Sequence, residues 1–145
     1  MRWRVWIAAL ASALLLAACQ GSPAAPVRLL AMGHYVRETR APVVSSPAVA
    51  DLDGNGTVEV AVGSLDGYLY LLDARLTTLP GWPKYSAGGF HSSPAVTDLD
   101  GDGELEVLAS AEAGTLYAWN SDGSAVPGWP VELGYRSWAS PTVLR

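Results

Sequence analysis

The chain has 145 residues, 50% hydrophobic, 16% charged and 9% aromatic, with a formal net charge of −5. That is enough apolar material for one domain with a core, the acidic balance excludes a basic nucleic-acid-binding face, and the single cysteine excludes an intrachain disulfide. No run of ~20 apolar residues is present, which excludes a conventional spanning helix.

Residues 1–18 read as a secretory signal peptide. Arg2 and Arg4 give a basic start, and Val5 to Ala18 is apolar except for Ser12. At helical rise this run is ~21 Å long, short of the ~30 Å hydrocarbon core. It ends in Leu16-Ala17-Ala18-Cys19, which resembles the bacterial lipobox. The resemblance implies cleavage before Cys19, diacylation of its thiol and acylation of the new amine, so that the chain meets a membrane through lipid. The bland alternative is a simple signal peptide that ends near a cysteine. Removal of Arg2 and Arg4 from the 9 basic residues leaves 7 against 14 acidic ones. Gln20, not Asp, follows the cysteine, so the expected address is the bacterial cell envelope, at the outer membrane if the organism has one. Residues 19–30 hold the acylated cysteine and a tether without periodicity.

Residues 31–44 are expected to hold a lone N-terminal strand. Ala31 to Val36 stands just before Ser45-Ser46-Pro47, where the repeats described next place Val126 to Val131 and its copy, so it would be a fourth strand with no blade of its own, able to close a blade that a longer chain supplies.

From Ser45 the chain repeats itself. Ser45 to His91 and Ser92 to Ala139 share every landmark at an offset of 47: Pro47 and Pro94, Asp51 and Asp98, Glu59 and Glu106, Tyr70 and Tyr117, Gly81-Trp82-Pro83 and Gly128-Trp129-Pro130. A third copy opens at Ser140-Pro141-Thr142-Val143. One fixed spacing over this many landmarks marks an internal repeat. Within the first copy, Pro47 to Ala50, Thr57 to Val62, Tyr68 to Asp73 and Trp82 to Ser86 read as strands, with Asp66-Gly67 as a hairpin turn. Thr57 to Val62 alternates, which places Val58, Val60 and Val62 on one face and Glu59 and Ala61 on the other. Four short strands per 47 residues is the pattern of a propeller blade. The expected fold is all-β: two four-stranded blades, 45–91 and 92–139, plus the first strand of a third in 140–145, drawn from a β-propeller of six to eight blades.

The loop after the first strand carries the chemistry. Asp51, Asp53, Asn55 and Glu59 stand at loop positions 1, 3, 5 and 9, as do Asp98, Asp100, Asp102 and Glu106 in the second copy; Thr57 and Glu104 stand at position 7, where a backbone carbonyl would serve. Gly56 and Gly103 at position 6 allow the sharp turn. Hard oxygen donors from one tight loop suit Ca²⁺ better than the strictly octahedral Mg²⁺. An EF-hand would need Glu at position 12, and Val62 and Ala109 stand there instead. A plain Asp/Gly hairpin would also have this composition, but its clustered carboxylates would repel one another without a cation. One Ca²⁺ per loop, two in all, is expected.

DLDGNGTVE and DLDGDGELE, each after SSPAV, resemble the FG-GAP or VCBS repeat, the blade unit of integrin-α-like propellers. The resemblance covers Ser45 to Arg145. It implies a Ca²⁺ site held by Asp51, Asp53, Asn55, Thr57 and Glu59, and a second held by Asp98, Asp100, Asp102, Glu104 and Glu106. Glu at position 9 replaces the commoner Asp. Gly67 to Ala74 and Gly114 to Asn120 also look like the third-strand pattern of quinoprotein-like repeats, which lack the acidic loops.

No catalytic constellation is visible. His34 and His91 have no partner at ligand spacing, and neither a Gly-x-Ser-x-Gly elbow nor a phosphate loop occurs. Trp82 and Trp129 read as blade-packing aromatics rather than sugar platforms. The expected function is a lipid-anchored, calcium-binding propeller module for binding or scaffolding, with a protein or carbohydrate ligand. One rival is the N-terminal piece of a polysaccharide-active or hydrolytic enzyme whose catalytic residues lie elsewhere. The other is a short chain whose open blade edges self-associate into a ring.

Overall fold

A run such as Glu59-Val60-Ala61-Val62-Gly63 can lie only in the middle of a sheet, because every one of its five residues is buried. The computed structural model describes residues 3–5, 35 and 37–144. Most of the hydrophobic run to Ala18, Cys19, the tether, and residues 31–34 and 36 of the expected N-terminal strand lie outside the described residues. All the described regular structure is β, and no helix among these residues is long and apolar enough to cross a membrane.

Among the described residues, ten strands form three sheets. The first blade is β3 (Ala48–Ala50), β4 (Glu59–Gly63), β5 (Tyr68–Leu72) and β6 (Lys84–Tyr85), hydrogen-bonded in that order. The second is β7 (Ala95–Thr97), β8 (Glu106–Ser110), β9 (Thr115–Trp119) and β10 (Val131–Glu132), also in chain order. All pairs are antiparallel, and their registers are copies: Ala48 faces Ala61 and Ala95 faces Leu108; Val60 faces Leu72 and Val107 faces Trp119. β4 begins two residues later than the apolar pattern suggests. Val58, expected on the buried face, is 47% exposed, whereas Glu59 is 2% exposed. The alternation fails because both faces of the blade are covered. Ala61, Leu69 and Leu71 meet Val107, Ala109 and Trp119 of the second blade, while Val62, Tyr70 and Leu72 pack with Leu76 and Val43. A strand buried on both faces has no polar face to alternate. The fourth strand is only two residues long, and Pro83 stands just before it, outside the ladder.

The third sheet is a pair. β1 (Trp3–Val5) runs antiparallel to β2 (Arg37–Thr39), with Arg4 opposite Glu38. β2 lies one repeat before β6, and it takes the place of a fourth strand ahead of the first blade. β2 falls within 31–44, and its partner β1 is drawn from the segment read as a signal peptide.

The blades are joined by Trp82, which is 8% exposed. Its ring meets that of Trp119 edge-on at 5.8 Å, and its Nε1 donates to the Ser121 carbonyl at 2.9 Å. Gly81 beside it has φ +79, and a Cβ there would lie 2.0 Å from the Asp122 carbonyl oxygen, so only glycine lets the backbones approach. The paired serines divide the remaining work. Ser45 Oγ bonds both the N–H and the C=O of Gly63 within its blade, and Ser92 Oγ does the same to Ser110. The second serine of each pair reaches across: Ser46 N–H donates to Ser93 Oγ, and Ser93 N–H to Ser140 Oγ, both at 2.9 Å. The period of 47 read in the sequence reappears as a chain of hydrogen bonds from copy to copy.

Candidate metal centres

The two acidic loops connect β3 to β4 and β7 to β8, at the same end of adjacent blades. Each is folded by its own side chains. In the first, Asp53 Oδ1 accepts from the Asn55 N–H at 3.1 Å, Asn55 Oδ1 from the Thr57 N–H at 2.8 Å, and Asp51 Oδ2 from the Gly56 N–H at 2.9 Å. The second repeats the Asx turns: Asp100 Oδ1 accepts from Asp102 N–H and Asp102 Oδ1 from Glu104 N–H, while Asp98 Oδ1 turns to Gly101 N–H. Gly56 and Gly103 have φ +86 and +92, the left-handed conformation that position 6 requires.

Three carboxylates converge in each loop. Asp51, Asp53 and Glu59 offer oxygens within 4.8 Å of one another, and so do Asp98, Asp100 and Glu106. These are positions 1, 3 and 9. The other sequence candidates sit differently. Asn55 Oδ1 takes both the amide and the hydroxyl of Thr57. Asp102 holds the amide of Glu104, and neither joins the three-carboxylate group of the second loop. Glu104 instead lines a cleft of about 410 Å³ between the loops, shared with Asp51, Asp53, Gly54, Leu105 and Ser121.

Glu59 and Glu106 anchor the groups from below. Glu59 Oε2 accepts from the Leu52 N–H at 2.8 Å, and Glu106 Oε2 from the Leu99 N–H at 2.6 Å. Burial pushes both carboxyls above the ordinary value of 4.5, the Leu52 or Leu99 amide pulls the other way, and the neighbouring aspartates add repulsion. Asp51 Oδ1 is buried with no hydrogen-bond partner. An orphaned carboxylate oxygen beside two further carboxylates is a donor set suited to a hard cation, which would supply the missing partner and neutralise the repulsion. The part of Leu52 and Leu99 was not legible as function. Their signal is an apolar residue at position 2 of an otherwise polar loop: Leu52 is 3% exposed in the core, which pins the loop while its amide holds the glutamate.

Residues 51–109 match the family model of the FG-GAP-like repeat. The match starts at position 1 of the first acidic loop and ends within β8, so it takes in both loops and most of the first blade. The all-β architecture, with two four-stranded antiparallel sheets, is that expected of FG-GAP blades. No curated relative matches the chain.

Proposed function

We propose that residues 45–144 act as a calcium-stabilised pair of propeller blades within a binding or scaffold module, held at the bacterial envelope through acylated Cys19. The observation that carries the calcium reading is the twin group of three carboxylates with Asp51 Oδ1 buried and unpartnered. The FG-GAP-like match over 51–109 supports the same reading from an independent direction. Asp51, Asp53 and Glu59 would hold one ion, and Asp98, Asp100 and Glu106 the other. The ion would supply structure rather than a reaction: it would fix each loop against its blade and set the walls of the cleft between them.

Calorimetric titration with Ca²⁺ is expected to show two sites, and EDTA is expected to lower the melting temperature. Ligand binding to the native state adds about 2.7 kcal/mol at a hundredfold excess over Kd. Melting that ignores EDTA and Ca²⁺ alike overturns the calcium reading. The anchor is tested separately: Cys19→Ser is expected to move the protein from the membrane to the soluble fraction. Wild-type protein carrying no lipid by mass spectrometry overturns that part.

A further inference from the structure

The cleft of about 410 Å³ between the acidic loops has walls from both copies, 45–91 and 92–139. The first copy contributes Asp51 and Asp53, two members of its three-carboxylate group, and the second contributes Glu104 and Ser121. The walls are tied together: the Ser121 carbonyl accepts from Trp82 Nε1 at 2.9 Å, and Trp82 packs edge-on against Trp119 between the blades. Three carboxylates from two copies thus share one cleft, and no Lys or Arg lines it.

Hydrogen bonding joins Glu104 to its own loop through the backbone alone, its N–H donating to Asp102 Oδ1 at 2.8 Å. Its carboxylate has no hydrogen-bond or ion-pair partner among the described residues, and it stands outside the group of Asp98, Asp100 and Glu106. The first group, in turn, is short of oxygens. Ca²⁺ takes six to eight of them. The first loop offers three carboxylates, of which Glu59 Oε2 is engaged by the Leu52 N–H. Asn55 Oδ1, at position 5, is spent on the amide and the hydroxyl of Thr57. Asp51, whose Oδ1 is buried without a partner, shares the cleft with Glu104.

We infer that Glu104, from the second copy, is a ligand of the cation held by the first loop, so that this ion clasps two blades instead of closing one loop. The inference rests on the calcium reading above. A carboxylate with no bond elsewhere can turn to the ion without breaking a contact. The ion in turn offsets the repulsion that Glu104 adds to Asp51 and Asp53. Asp102 holds the Glu104 amide, so the fold of the second loop decides where this ligand is presented to the first site.

The two sites are read apart with asparagine variants that keep the acceptors of the turns. Asp100→Asn retains Oδ1 for the Asp102 N–H and leaves the first site to be measured; Asp53→Asn retains Oδ1 for the Asn55 N–H and leaves the second. Calorimetric Ca²⁺ titration of the full chain compares each background with and without Glu104→Gln. The substitution is expected to weaken Ca²⁺ at least about tenfold in the Asp100→Asn background, the size of loss that partners of a metal site give. It is expected to leave the Asp53→Asn background unchanged and, in the otherwise wild-type chain, to weaken one of the two sites only. The loss is expected to persist in about 1 M KCl, where a screening length of about 3 Å removes a merely long-range attraction. Unchanged affinity in the Asp100→Asn background, a loss as large in the Asp53→Asn background, or a loss that disappears in KCl overturns the proposal and leaves the calcium reading in place. Absence of Ca²⁺ binding by the wild-type chain overturns both.

Discussion

Glu59 is 2% exposed, and its Oε2 accepts the Leu52 amide, so burial has put a carboxylate where its ionised form is disfavoured. Glu59→Gln keeps an acceptor for that amide and removes the charge. The variant is expected to be more stable than wild type in EDTA, and to bind Ca²⁺ at the first loop at least about tenfold more weakly, the scale on which even outer-shell partners act. Paired unfolding curves with and without Ca²⁺ check both signs; a variant less stable in EDTA contradicts the argument. The pH dependence follows from the same groups. Both carboxyls titrate above 4.5 when folded and near it when unfolded, so the folded chain holds more protons in between. Metal-free stability is therefore expected to fall as pH rises from about 4.5 through the raised values, and the double variant Glu59→Gln/Glu106→Gln to lose that slope. Denaturant titrations across that window in EDTA measure the difference. The convergence of positions 1, 3 and 9 was legible because the loop is short and its ligands are local. The burial of Glu59 was not, since a period-two pattern assigns one face to water and says nothing of the neighbouring blade that covers it.

Strand order, hairpins and the fourth-strand position could be read from the repeat, because each copy restates the same turns at the same spacing. The bonds between elements could not: that the two serines of SSP have different duties appears only when the blades stand side by side. Ser92→Ala removes the hydroxyl that serves both backbone groups of the buried Ser110. It is expected to cost about 1–3 kcal/mol, the range for leaving buried polar groups unmade. Ser93→Ala removes one exposed bond from Ser46 and is expected to cost about 1 kcal/mol or less. Urea unfolding of the two variants ranks them, and equal costs contradict the division. β2 belongs to this scale as well. Its partner β1 lies in the segment read as a signal, so a processed chain would offer Arg37–Thr39 without that partner. Protection of these amides from hydrogen exchange is expected to be lower in the processed form than in the full chain.

Across the molecule, the core is an interface. Trp82, Leu69, Leu71 and Phe90 from the first copy and Trp119, Val107 and Ala109 from the second fill the space between blades, so the cluster with the most buried residues belongs to both. Trp82→Ala is expected to cost about 3–5 kcal/mol. Trp129→Ala, one period on but half-buried at the far face, is expected to cost clearly less. Thermal melts of the pair test whether stability is held between blades or within them. The contact of His91 Nε2 with Glu112 Oε2 belongs to this scale and escaped the sequence reading for that reason, since residues 21 apart in chain meet there across a blade boundary. The serine bonds have one further consequence. The amide of each copy always points to the hydroxyl of the copy that follows, and the period of that contact equals the period of the sequence. A 47-residue segment duplicated in frame would arrive with its donor on one side and its acceptor on the other. The chain can therefore lengthen by whole copies without any new contact having to be invented, and gene duplication alone suffices to extend the array.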